Sequence, residues 1–338
     1  MKIVNVLMLL ILVFCSLKTA TSRELNIYSH RQPYLLKPFL DAYKNKTNIK
    51  LNVVYSSKGL AQRLASEGKN TPADLVLTVD IGRLYIYKDK DLLAKINSKI
   101  LNDNIPSHLR SKDGTWFGLS KRSRVIGIAK NEFSKGEIST YEDLANPKFK
   151  GKVCSRPGSH VYNRALMASM IANNGYDKAL VWAKGLINNL AKRPQGNDRA
   201  QIKSIFSGEC KIIIINHYYY GKLTYSENDD HKKWASAVKI IFPNQSKNDR
   251  GAHINISGGG VAKHSKRKNE AIKFLEFLVS EEAQKLYANV NYEYPINDKF
   301  ERPIKLKKLG NFREDKLYIE DIAILAPKAQ EIIDTVYW

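Results

Sequence analysis

The chain predicts an α/β protein of two lobes with a cleft between them, the lobes joined by crossing strands. Three observations carry this. The length of 338 residues fits two domains of roughly 100–200 residues each. Short strand-like segments alternate with helical ones, which is the pattern of parallel sheets. Two extended stretches, about Trp116–Ile128 and Ala252–Ala262, stand where the chain must pass from one lobe to the other and back.

Residues 1–22 read as a secretory signal. Lys2 supplies the positive end, Val4 to Cys15 an apolar core, and Ala20-Thr21-Ser22 small residues for cleavage after Ser22. That core is shorter than the roughly 20 apolar residues of a membrane span. Phe14 before Cys15 does not fit a lipoprotein signal, and no later segment is long and apolar enough to span a bilayer. The mature chain is therefore expected to be soluble and exported to the periplasm. Loss of Lys2 and Lys18 lowers the formal charge by two, from +22 to +20. The positive residues are spread along the chain rather than gathered in one patch, so no nucleic-acid partner is expected. Cys15 leaves with the signal. Cys154 and Cys210 remain, each beside a predicted strand, and an even pair in an oxidising compartment can form a disulfide. Two buried free thiols are the alternative.

The first lobe opens with a strand at Leu25–Tyr28, a helix from about Pro33 to Thr47 and a strand at Ile49–Tyr55. Leu36, Phe39, Leu40 and Tyr43 recur at helical spacing and should pack on the sheet. A helix from about Lys58 to Glu67 and a strand at Asp74–Thr78 follow. The second lobe is expected to hold a loop at Cys154–Asn163, helices at Arg164–Asn173 and Ala179–Asn189, and a strand at Ile212–Ile215. After the return crossing come a helix at about Asn269–Val279 and a second one opened by Ser280, with Glu281 and Glu282 in its first turn. The predicted division is 23–120 with 251–290 for lobe 1, 121–250 for lobe 2, and 291–338 as a C-terminal helical segment packing on both.

The candidate chemistry lies in tyrosines. Tyr218-Tyr219-Tyr220 ends an isoleucine-rich run, and Tyr162 follows a Gly-Ser loop. Phenolates are hard anionic ligands that suit ferric iron, and tyrosinate ligation of iron occurs in haem proteins. On a regular strand Tyr218 and Tyr219 would point to opposite faces. They converge only if the strand ends there and the backbone turns, and Asn216 is a reasonable helix cap for such a turn. The competing reading of 18 tyrosines is amphipathic packing, or an aromatic platform for a sugar or base. Gly196-Asn197-Asp198-Arg199 reads as a polar turn that orients ligands or connects helices. Gly258-Gly259-Gly260 lacks the lysine and spacing of a phosphate loop and reads as a close-packed crossing strand. The seven histidines form no His-Glu-x-x-His, and no serine sits in Gly-x-Ser-x-Gly, so nothing marks an enzyme.

Taken together, the chain resembles bacterial periplasmic ferric-iron-binding proteins. These are the substrate-binding components of iron ABC transporters, with a transferrin-like bilobal fold (periplasmic binding protein type II). The matching stretches run in order through nearly the whole mature chain. They are Tyr28-Ser29-His30-Arg31-Gln32-Pro33, Pro72-Ala73-Asp74-Leu75-Val76, Trp116 through Arg124, Tyr141-Glu142-Asp143-Leu144, Gly151 through Arg156, Gly196 through Gln201, Asn216-His217-Tyr218-Tyr219 and Asn291 through Pro295. The resemblance implies Fe(3+) held by Tyr162, Tyr218 and Tyr219, with Tyr220 outside the ligand set. Many relatives add a His-Tyr pair after the first strand's arginine, where this chain has Gln32 and Pro33. Tyr34, one residue on, is the candidate fourth ligand if the loop shifts. Otherwise the remaining positions fall to water or to a synergistic anion such as carbonate, with Arg31 beside it. The implied partners are an inner-membrane ABC permease and ferric iron or a ferric chelate, with the protein a monomer. The rival readings are a binding protein of the same fold for an organic anion or thiamine-like solute and, at a distance, a secreted hydrolase.

Overall fold

The computed structural model describes residues 24–338, so the signal read at 1–22 lies outside the described residues. Among the described residues there are nine strands: β1 (Glu24–Ser29), β2 (Lys50–Tyr55), β3 (Leu75–Thr78), β4 (Phe117–Ala129), β5 (Val153–Cys154), β6 (Ile212–Asn216), β7 (Val238–Ile241), β8 (Ile254–Val261) and β9 (Tyr294–Pro295). Their order across the sheet is β2-β1-β3-β8-β4-β6-β5, with β7 and β9 also pairing to β4. The chain forms a two-lobed α/β fold in which β4 belongs to both halves. Its first part, Phe117–Ser123, pairs with β8, and its second, Arg124–Ile128, pairs with β6. A strand of 13 residues reaches about 40 Å, enough to run from one lobe into the next. The return passes through His253, whose carbonyl accepts from the Arg124 N–H before β8 begins.

Local sequence explains most of the helices. Pro33 opens the helix Pro33–Thr47, where its fixed φ fits and its missing N–H costs nothing. Leu36, Phe39 and Tyr43 are buried on its inner face, with the Phe39 and Tyr287 rings 4.3 Å apart. Ser280 caps Glu281–Val290 by accepting from the Ala283 N–H. Two expectations are corrected. The helix after the Gly-Ser loop begins at Val161 rather than Arg164, because the His160 ring accepts from the Tyr162 N–H and caps it early. Asp198 and Arg199 do not stay in a turn: they open the helix Asp198–Phe206, with the Asn197 side chain accepting from the N–H groups of Arg199 and Ala200.

The triple glycine lies within β8. A Cβ on Gly258 would stand 2.8 Å from the Phe117 carbonyl oxygen, and one on Gly260 2.6 Å from that of Thr115. Backbone therefore packs on backbone there, and the segment is a crossing strand without a phosphate loop. Cys154 and Cys210 form a disulfide, with Cα atoms 5.9 Å apart, tying β5 to the entry of β6. The C-terminal helices Ile319–Ile324 and Ala326–Thr335 pack on Ile81–Asp89 and Val161–Asn174. Among the described residues no helix is long and apolar enough to cross a membrane.

The middle of β4 departs from what a doubly covered strand should be, since Ser120-Lys121-Arg122-Ser123-Arg124 is buried although polar. Two of its three charges are closely paired: Lys121 meets Glu314 at 2.9 Å and Arg124 meets Asp198 at 2.6 Å, while Arg122 donates to the Val79 carbonyl and has Asp80 only at 3.9 Å. Of this polar seam, Arg122 lines the interlobe cleft.

Candidate metal centre

The strand β6 ends at Asn216 and the backbone turns at once into the helix His217–Thr224. That turn brings Tyr218 and Tyr219 to one side, with ring centroids 4.5 Å apart, where a continuing strand would have separated them. Tyr162 arrives from the first turn of Val161–Asn174, and the Tyr218 hydroxyl donates to the Tyr162 hydroxyl at 3.1 Å. Tyr162 and Tyr218 thus each occupy the first turn of a helix, where the helix dipole favours negative charge.

A buried network fixes these positions. The Arg124 guanidinium donates to the side-chain oxygen of Asn163 (2.7 Å) and to that of Asn216 (3.2 Å), the residues beside Tyr162 and before His217. Asp198 receives Arg124 at 2.6 Å, Arg156 at 3.0 Å and the Asn216 N–H at 2.8 Å. Burial alone would push its carboxyl up, but Arg124 and Arg156 hold it below the ordinary value. The loop leading to Tyr162 is braced from behind: the Gly158 N–H donates to the Trp338 carbonyl at 3.0 Å, and Trp338 Nε1 donates to Ser155 Oγ at 3.1 Å.

The cleft in front of the tyrosines has a volume of about 300 Å³. Arg31, Arg83, Arg122, Arg199 and Lys222 line it, against the single carboxylate of Glu293. Burial and the neighbouring Tyr162 and Tyr219 push the Tyr218 hydroxyl well above 10, and burial raises Tyr219 likewise. These two are therefore protonated at neutral pH. Arg199 lies 5.6 Å above the Tyr219 ring, and Arg122, Arg124 and Arg156 lie 5.2–5.9 Å from the Tyr162 ring. Burial lowers Lys222 to about 8, against the attraction of Glu293.

The structure brings Tyr162, Tyr218 and Tyr219 together. Tyr34 lines the mouth of the same cleft but is 62% exposed and outside the cluster. Arg31 is buried, and its Nη2 donates to both oxygens of Glu293 (2.9 and 3.0 Å) and to Ser257 Oγ. Its charge is therefore balanced within the protein. Sequence reasoning gave no role to Arg122, whose Nε is buried without a partner, nor to Glu293 or the Asp198–Arg124 pair. No local pattern marks them, because their partners are remote in sequence.

Residues 39–314 match the bacterial extracellular solute-binding protein family. The chain is 40% identical over 317 residues to iron uptake protein A1 of Synechocystis, covering 94% of this chain and 88% of that protein. It is 28% identical to the major ferric iron-binding protein of Neisseria meningitidis, covering 82% of each. Among solved structures, a Trichodesmium FutA in complex with iron and citrate matches with a TM-score of 0.89 at 42% identity, over 93% of this chain and 99% of that one. Ferric iron-binding protein A of Mannheimia haemolytica, in an open conformation, matches with a TM-score of 0.87 at 44% identity, over 93% and 98%. A polar cleft between two lobes, its tyrosines set at helix starts, and a match along most of the sequence agree: this chain belongs to the family of bacterial extracellular solute-binding proteins.

Proposed function

We propose that this protein captures ferric iron in the periplasm and delivers it to an inner-membrane ABC permease, acting as a binding protein and not as an enzyme. The observation that carries this is the convergence of Tyr162, Tyr218 and Tyr219 in a cleft rich in cations. Three phenolates cancel the charge of one trivalent ion. The surplus of Arg122, Arg199 and Lys222 then calls for an anion on the remaining coordination positions, carbonate being the simplest. The unpartnered Nε of Arg122 is the free donor for it, and Arg31, balanced by Glu293, forms the wall beside it. In this reading residues 23–120 with 251–290 and residues 121–250 are the two lobes. They close over the ion about β4 and the return through His253, with 291–338 clasping both. The protein works as a monomer, exported by the segment 1–22.

The test is to strip metal from the mature protein and titrate it with ferric citrate, following the visible tyrosinate-to-iron charge-transfer band. A coloured one-to-one complex is expected, lost in the Tyr218→Phe/Tyr219→Phe double variant, while Tyr34→Phe leaves it intact. An uncoloured wild-type protein would sink the assignment.

A further inference from the structure

Where β4 ends lies a chamber of about 560 Å³ that shares no residue with the tyrosine cleft. Its floor is a sheet face. In the antiparallel pairing of β4 with β7, Ile126 stands opposite Ile241 and Ile128 opposite Lys239, so Ile128, Ile241 and the stem of Lys239 lie on one side. The segment 130–139 after β4 adds Phe133 and Ile138, and Phe242, just past β7, adds a further wall. Both aromatic walls are fixed from behind: the Phe133 ring meets Phe149 edge-on at 5.8 Å, and Phe242 stacks on Phe312 at 4.5 Å.

Much of its polar lining is already engaged within the protein. Gln245 donates to the Pro243 and Arg313 carbonyls and accepts from the Arg313 N–H, and the Ser139 hydroxyl donates to Asp143. The acids of the segment turn to other lysines, Glu132 to Lys211 at 3.3 Å and Glu137 to Lys148 at 3.8 Å. Among the described residues no carboxylate lines the chamber. Lys130, Lys135 and Lys239 do line it; all three are exposed, and none forms an ion pair among the described residues. What is left free is an apolar hollow with three ammonium groups at its rim.

We propose that this chamber binds a free amphiphilic carboxylate, a medium-length acyl chain with one anionic head. Its volume falls within the roughly 300–1,000 Å³ of sites for organic ligands. The acyl chain covers Ile128, Ile138, Ile241 and the edge of Phe133, and the head meets the lysines, whose long stems let the charges gather on it. A cationic head finds no acid here, and a wholly polar anion leaves the apolar floor wet. The apolar segment 1–22 of the chain is a poor occupant, because it brings Lys2 and Lys18 and no acid.

The experiment is calorimetric titration of the protein at low salt with hexanoate, octanoate and decanoate, and with decyltrimethylammonium as the matched cation. The expected result is saturable binding of one decanoate, with affinity rising about fourfold for each methylene added from hexanoate upward, and no binding of the cation. In the Lys130→Gln/Lys135→Gln/Lys239→Gln variant decanoate binds about tenfold or more weakly. Its urea midpoint stays that of wild type, since the three side chains are exposed and unpaired. Absence of saturable decanoate binding would overturn the proposal, as would an affinity independent of chain length, equal binding of the cation, or a triple variant that binds like wild type. Binding to phosphatidylglycerol vesicles without binding of free decanoate would overturn it in favour of a membrane surface.

Discussion

Replacing Asp198 by Asn keeps the side chain's shape and removes its charge. Two guanidinium groups, those of Arg124 (2% exposed) and Arg156 (8% exposed), then lose the only carboxylate they pair with among the described residues. Removing one partner of a buried ion pair costs roughly 3–5 kcal/mol, because the other charge stays out of water without compensation. The asparagine oxygen still accepts from the Asn216 N–H or from Arg124, so the lower end, about 3 kcal/mol, is expected. That is a large part of a typical stability of about 5–15 kcal/mol, yet it leaves the protein folded. Urea unfolding at pH 7 measures it directly. The pH dependence supplies a second check. The folded-state pKa of Asp198 is lowered, so its contribution is present above the unfolded value of 3.8 and is lost as pH falls through the folded one. The gap between wild type and Asp198→Asn should therefore be flat from neutral pH down to the unfolded value and shrink below it. A gap under about 1 kcal/mol at pH 7, or one that stays constant on acidification, would refute the role of Asp198 as the hub that sets Tyr162 against Tyr218.

Three further outcomes are expected. His217 is buried as a neutral ring, accepting from the Ser123 N–H and donating to the Tyr292 carbonyl, and burial lowers its pKa to about 4. Its stability contribution is complete above the unfolded value of 6.5 and is lost as pH falls through about 4, up to about 3 kcal/mol, so His217→Gln should flatten the loss of stability over that window in urea titrations. Opening the Cys154–Cys210 disulfide, which closes a separation of 56 residues, should cost about 4 kcal/mol on the chain-entropy account, read as a lowered urea midpoint in the double Ala variant. Since Tyr218 and Tyr219 are held protonated in the iron-free protein, each iron bound should release at least about two protons, measurable by weakly buffered titration, and iron affinity should fall as pH is lowered.

Elements whose signals are local were legible from residues alone. Pro33 and the apolar spacing from Leu36 to Tyr43 mark their helix, Ser280 marks the start of another, and the Ile212–Ile215 run marks a central strand. The bend that lets Tyr218 and Tyr219 share a side could also be reasoned out, since a strand continuing past Asn216 would have parted them. The start of the helix at Val161 was missed because its cap is a histidine, outside the usual capping residues. Asp198 was read as part of a turn for a related reason: its burial is decided by Arg124 and Arg156, 74 and 42 residues away.

Sequence by itself determined the two-lobed α/β class, the crossing strands and the candidate tyrosines, because periodicity, turn chemistry and residue type act over a few neighbours. Tertiary structure alone decided which charges the cleft has free. Arg31 and Arg122 sit in equally plain sequence surroundings, yet Glu293 balances the first at 2.9 Å, while the second has Asp80 only at 3.9 Å and keeps a buried Nε without a partner. The difference is one of distance in space. A buried charge takes its character from the group folded against it, and for Arg31 that group lies 262 residues further along the chain.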